Sequence, residues 1–220
     1  MGIDIDTQGN TANSLGTIES CVRLDVPSPS FDGVSDHSID VYVKGDTQAP
    51  MAYDAWLSYG AVNDGCPAEG GGETGDDCLN TFDDDGDGKI NDGCPQVGAA
   101  GESGVQCATG DKSDDDGDAI VHVAAPTTDA LIKMPGAVDL GNESLPDGDG
   151  TFLAGVIYLE DREGVAGDGV LMRLGLDIGG SGVVTLVLNP PPLSAYLSRE
   201  GLHSVTRASA KLAINADCPP

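Results

Sequence analysis

Basic residues are scarce in this sequence. Its 220 residues include ten lysines and arginines against 37 aspartates and glutamates, a formal net charge of −27. A surface that negative repels phosphate backbones and anionic headgroups, which excludes nucleic acid and lipid surfaces as direct partners. Aromatic residues make up only 4% of the chain. No apolar run approaches the roughly 18 residues that a membrane-spanning helix needs. The opening Met-Gly-Ile-Asp-Ile-Asp has neither a basic nor an apolar stretch, so no signal peptide is visible. Position 6 is Asp rather than Ser or Thr, so the myristoylation pattern fails as well. None of the cysteines forms a CxxC pair, which argues against zinc ribbons and thioredoxin-type chemistry. P-loop, HExxH and GxSxG motifs are absent too. His37, His122 and His203 are scattered, each at or near an expected strand, where a structural role is the simplest reading. No acid–base pair emerges, and the chain does not read as an enzyme.

Glycine, by contrast, is abundant at 32 residues, and the six cysteines (Cys21, Cys66, Cys78, Cys94, Cys107, Cys218) are even in number. Cysteines in acidic, glycine-rich loops read as disulfides of an exported protein. An extracellular or cell-surface location follows, with the sequence beginning near a mature N-terminus. A charge of −27 also repels itself, so the fold is expected to need cations.

Most of the chain has the period-2 alternation of strands. It runs through Val22, Leu24 and Val26; Ile39, Val41 and Val43; and the stretches 51–59, 119–123, 130–134, 152–159, 169–178, 182–188 and 205–214. About nine short strands with Gly, Asp and Pro between them predict an all-β sandwich or jelly roll. FLAGVIYL (152–159) and GVVTLVL (182–188) are apolar on both faces, which assigns them central places in a sheet. Gly179-Gly180-Ser181-Gly182 reads as a hairpin turn, and only residues 193–201 are compatible with a helical turn.

Residues 63–118 are different. They hold sixteen acids and two lysines, a net of −14, with thirteen glycines, four cysteines and few bulky apolar residues beyond Leu79, Phe82 and Ile90. Such a segment cannot build a core of its own. It repeats itself: NDGCPAEGGGETGDDC (63–78) and NDGCPQVGAAGESGVQC (91–107) each precede an aspartate cluster, giving two tandem units. In the first cluster Asp83, Asp85 and Asp87 stand at positions 1, 3 and 5 of an EF-hand-type loop, with Gly88 at the turn, the Lys89 carbonyl at position 7 and Asp92 beyond. Alternate spacing aims successive oxygens at one cation, so the expected ligand is Ca2+. Position 12 is Cys94 rather than Glu, and no helix flanks the loop. Asp114, Asp116 and Asp118 repeat the spacing, with Ala119 where glycine is wanted. Asp147 and Asp149 form a shorter candidate, and Asp4 and Asp6 with Asn10 a weaker one.

Cys21 lies in the first core strand and Cys218 just after the last, and a staple between them is expected. Two pairings fit the other four cysteines: Cys66–Cys78 with Cys94–Cys107, or Cys78–Cys94 with Cys66–Cys107.

The order IDVYVKG, AYDAWLSYG and GDGVLMRLGLDIGGSGVVTLVL resembles the cohesin-type jelly roll of bacterial surface proteins, and residues 78–95 resemble the calcium repeats of dockerins and thrombospondin type-3 modules. The resemblance implies a cohesin-like sandwich over 19–62 and 119–220, interrupted by the calcium-loop insertion 63–118. Because cohesins bind dockerins, it also implies a dockerin-like partner; a glycan is the other partner considered. Since both partner types occur in one chain, the leading expectation is a secreted, calcium-stabilised structural protein assembling with copies of itself into a filament, tube or surface layer. A cohesin-like adhesion or ligand-binding module is the alternative. In the assembling reading, residues 1–18 form a tail whose Ile3 and Ile5 would add a strand to a neighbouring subunit.

Overall fold

The computed structural model describes residues 1–26, 34–45, 48–59, 71, 72, 86, 93, 120–124, 132–140, 145, 151–159, 162–179, 181–189, 194–203 and 207–220. Among these there is no helix, and hence none long and apolar enough to cross a membrane. The described residues form twelve strands: β1 (Gly2–Asp4), β2 (Cys21–Leu24), β3 (His37–Val43), β4 (Ala52–Tyr59), β5 (Ile120–Val123), β6 (Val138–Asp139), β7 (Thr151–Ile157), β8 (Gly169–Gly179), β9 (Gly182–Leu188), β10 (Ala195–Ser198), β11 (Gly201–His203) and β12 (Ala210–Ile214). A small sheet has the order β1-β3-β8-β5, and a large one runs β11-β10-β4-β9-β12-β2, with β7 also paired to β4 and β6 paired to β7. The all-β sandwich expected from the alternation is therefore what the chain forms.

The inner faces supply the core. Ile39 and Val41 of β3 and Leu174 and Leu176 of β8 pack with Leu57 and Tyr59 of β4, Leu186 of β9 and Leu212 of β12, all buried. Each side chain of this kind contributes about 1.5–3 kcal/mol by leaving water. The two stretches apolar on both faces, β7 and β9, each have a strand on either side, as expected.

Four local expectations need correction. The tail does not stand free for a neighbour. β1 pairs antiparallel with β3 of the same chain, Ile3 N–H donates to the Ala208 carbonyl at 3.2 Å on its other side, and Met1, Ile3 and Ile5 enter the core. The Ile/Asp alternation that suited a neighbour's edge suits this chain's own edge equally well. Second, the turn between Gly179 and Gly182 makes no hairpin, because β8 and β9 belong to opposite sheets and the chain crosses between them there. Third, the residues read as a helical turn form the β10–β11 hairpin, with Tyr196 and Ser198 inward and Leu197 outward. Fourth, residues 132–134 are not a strand, because the buried Lys133 reaches for main-chain carbonyls there.

β2 lies at the edge of the large sheet, parallel to β12, and Cys21 is joined to Cys218 across 197 residues as expected. Among the described residues no cysteine is free. The pairing of the other four lies outside them.

Candidate binding face

The calcium ligands expected from spacing, namely Asp83, Asp85, Asp87, Lys89, Asp92, Asp114, Asp116, Asp118, Asp147 and Asp149, all lie outside the described residues. Within the insertion, Gly86 and Gly93 have φ of +79° and +82°, conformations that suit glycine. Among the described residues no cluster of acids, histidines or cysteines could hold a metal ion.

The weaker candidate around Asp4 is built from different bonds. Asp4 is fully buried on the outer side of the small sheet and accepts from Asn10 Nδ2 at 2.9 Å and from the N–H groups of Asp6 and Glu19 at 3.2 and 3.0 Å. Asn10 Nδ2 also donates to Asp40 Oδ2 at 3.0 Å. Arg173 grips the same Asp40 in a fork, Nε to Oδ1 at 2.7 Å and Nη2 to Oδ2 at 2.8 Å. Burial pushes the Asp40 carboxyl above its usual range, against the opposing pull of Arg173 and Asn10. These oxygens are committed to internal donors, which is the chemistry of a structural knot.

Lys133 works in the same way from the other side. Fully buried, its Nζ donates to the carbonyls of Ala12, Val165 and Asp168 at 2.7, 2.9 and 3.2 Å, tying the N-terminal segment to the approach to β8. Burial lowers its ammonium to about 8. His37 Nε2 donates to the Ile5 carbonyl at 2.8 Å. His203 bonds Ser198 Oγ at 2.7 Å and meets the Tyr196 ring edge-on at 5.1 Å. Ser198 is itself buried and accepts from Glu200 N–H at 3.0 Å, so this serine–histidine pair braces the β10–β11 hairpin.

The outer face of the large sheet has the opposite character. Residues directly opposite one another in antiparallel strands share a face. Leu202 pairs with Leu197, Leu197 with Ala52, Ala52 with Ile157, and Ile157 with Val138. Five strands thus present one continuous apolar row, Leu202–Leu197–Ala52–Ile157–Val138, about 19 Å long at the usual strand spacing. The inward neighbours Tyr196, Tyr53 and Val156 are buried, which fixes the row as outward. Leu202 is 71% exposed, Val138 39% and Leu197 37%, and Leu140, two residues beyond Val138, is 52% exposed. Isolated exposed leucines need no explanation; a cross-strand row of them is a continuous apolar strip on the surface.

The hairpin that carries two of these leucines is held firmly. Tyr196 Oη donates to the Gln48 carbonyl at 2.5 Å, Arg199 pairs with Glu163, and Gly201 takes φ +121° at the turn. On the same face Asp54 follows Ala52 by two residues, and burial raises its carboxyl above the usual range. Trp56 lies farther along, opposite Leu153. The sequence did carry a signal for this row. AYLS and FLAGVIYL are apolar at both parities, and the second of these reads as centrality within a sheet rather than as an uncovered face.

No family model and no curated protein matches this sequence. Among solved structures, the chain is similar to a chain of the CaDoc0917–CaCohA2 complex crystallised at pH 5.5, with 12% identity, 87% of this chain and 98% of that chain covered, and a TM-score of 0.42. It is also similar to the seventh ScaB type I cohesin of Pseudobacteroides cellulosolvens, with 8% identity, 91% of each chain covered and a TM-score of 0.47.

Proposed function

We propose that this chain is a non-catalytic, cohesin-like recognition module of an exported or cell-surface protein, docking a protein partner on the outer face of its large sheet. The observation that carries this reading is the apolar row across β11, β10, β4, β7 and β6. The resemblance of IDVYVKG, AYDAWLSYG and GDGVLMRLGLDIGG to cohesins supports a dockerin-type partner. The test is calorimetric titration with a panel of calcium-loaded dockerin modules. The expected result is binding of at least one module, weakened a hundredfold or more in Ile157→Asp. Failure of every module to bind, or equal binding by the variant, would overturn the reading.

The acidic insertion holds calcium in this proposal. Asp83, Asp85, Asp87, the Lys89 carbonyl and Asp92 form one site and Asp114, Asp116 and Asp118 another, while Asp147 and Asp149 remain a third candidate. The DxDxDG spacing supports it, and so does the segment's net charge of −14, which needs a counterion. Chelator-stripped protein titrated with calcium should release heat with at least one site, and Asp85→Ala should remove it. Absence of heat in the wild type would sink the calcium assignment.

A further inference from the structure

The polar knot on the small sheet sets two negative charges against one positive one, and it is also one hydrogen short. Asp4 stands directly opposite Asp40 where β1 pairs with β3, and Arg173 stands opposite Asp40 where β3 pairs with β8. Both carboxylates are fully buried. Like charges directly opposite one another across a strand pair repel, and burial removes the water that would screen them. Between the two lies Asn10, whose Nδ2 is 2.9 Å from Asp4 Oδ2, 3.0 Å from Asp40 Oδ2 and 3.1 Å from the Asp6 carbonyl. An amide nitrogen carries two hydrogens, so three acceptors compete for them. Asn10 Oδ1 accepts from Gly16 N–H at 2.6 Å, which fixes the amide in this orientation.

We propose that Asp40 is a proton-operated latch on the first residues of the chain: uptake of a proton there tightens their hold on the small sheet, and its loss loosens that hold. With a proton from solvent on Asp40, the charges of Asp4 and Arg173 balance. Asp40 then no longer draws on Asn10, and the two Asn10 hydrogens serve Asp4 and the Asp6 carbonyl. Both of these acceptors belong to the N-terminal segment. So do Glu19, whose N–H donates to Asp4 Oδ1, and Gly16, so the network that gains the hydrogen is the one that folds residues 4–19 together.

The surroundings of Asp40 favour the proton. The charged groups acting on it are Arg173 from β8 and Asp4 from β1, with Asn10 as the neutral donor. Arg173 is shared, its Nη2 also donating to the Thr7 carbonyl at 3.5 Å. Beyond the end of β1, Asp6 turns its Oδ1 to Gln8 N–H, and along β3 the Tyr42 hydroxyl is kept neutral by burial and by the charge of Asp4. Burial first, and then Asp4, hold the Asp40 carboxyl above its ordinary 3.8 despite Arg173 and Asn10. A carboxyl raised in this way stabilises the folded arrangement in acid, and that contribution is lost as pH rises through the folded-state value.

Hydrogen exchange on the full chain, followed by NMR together with the Asp40 carboxyl carbon from about pH 7.5 to about pH 4.5, tests this. Asp40 should titrate above 3.8, and protection of the Gly16 and Glu19 N–H groups should rise at least about threefold in acid, with the β9–β12 pairing as the unchanged reference. Asp40→Asn should abolish that pH dependence. Because it also breaks the fork with Arg173, Asp4→Asn is the second variant: it removes the opposing charge, leaves the fork in place and should bring the Asp40 titration down towards 3.8. Titration of Asp40 at or below 3.8 in the wild type, protection of Gly16 and Glu19 that ignores pH, or a pH dependence that persists unchanged in both variants would overturn the proposal. The latch lies on the sheet opposite the proposed docking face, so neither result bears on that reading.

Discussion

The two outer faces of this sandwich reverse the usual relation between polarity and burial. The small sheet's outer face carries Asp4, Asp40 and Arg173, and the first residues of the chain fold over it, leaving both carboxylates without solvent contact. The large sheet's outer face carries leucine, isoleucine and valine, with Leu202 largely and Val138 partly in water. Buried charge persists where every oxygen has a donor, as around Asp40. Exposed apolar side chains in a row have no such internal account, and on the proposed reading that difference gives structure to one face and recognition to the other.

The comparison can be broken by experiment. The largest effect is expected at the edge of the large sheet, where the half-buried β2 pairs with β12 and is held by a covalent tie. Replacing Cys21 and Cys218 together by serine should cost about 4–5 kcal/mol in denaturant unfolding, by the chain-entropy argument for so long a loop. A loss under about 1 kcal/mol would show that β2 holds without its tie.

Next comes the polar knot. Arg173→Met leaves Asp40 buried without its fork and should cost about 3–5 kcal/mol near neutral pH. Because burial raises the Asp40 carboxyl above its ordinary 3.8, the folded state holds that proton more tightly than the unfolded chain does. The stability owed to the protonated form is thus present in acid and lost as pH rises, so the variant's deficit should shrink as pH falls. Urea titrations at several pH values check both the size and the sign.

Lys133→Met removes three donors from three carbonyls and should cost about 2–4 kcal/mol, loosening residues 9–16 first. Hydrogen exchange at Thr11 and at Val170, whose N–H donates to the Thr11 carbonyl, reads this locally. Leu202→Ser should be the mildest, within about 0.5 kcal/mol, because its side chain is already in water. A large destabilisation there would mean that the apolar row is structural after all and would dissolve the contrast between the faces.

Alternation was the readable part of the fold. Val22 and Leu24, Ile39 to Val43, and residues 169–188 announced strands because period 2 separates two faces whatever lies opposite them. The Cys21–Cys218 staple was legible for a related reason, since the first and last core strands neighbour each other in such sandwiches. The β10–β11 hairpin was missed because LSAYLSREG lacks strict alternation and offers one turn glycine, Gly201, only at its end, and its register depends on Tyr196 finding Gln48 and His203 finding Ser198. Lys133 was hidden within ALIKM, where one lysine among apolar residues looks like the polar side of a strand.

By itself the sequence determined the all-β class and the net charge of −27, and its DxDxDG spacing is what the calcium proposal rests on, because composition and local periodicity act without long-range contacts. Only the tertiary structure decided which faces those strands present. Asp4, Asp40 and Arg173 lie far apart in sequence and come together solely through the pairing of β1 with β3 and β3 with β8. The apolar row is likewise drawn from residues 52, 138, 157, 197 and 202, one from each of five strands. Cross-strand register creates such a surface, and register is a property of the folded sheet that no single segment encodes.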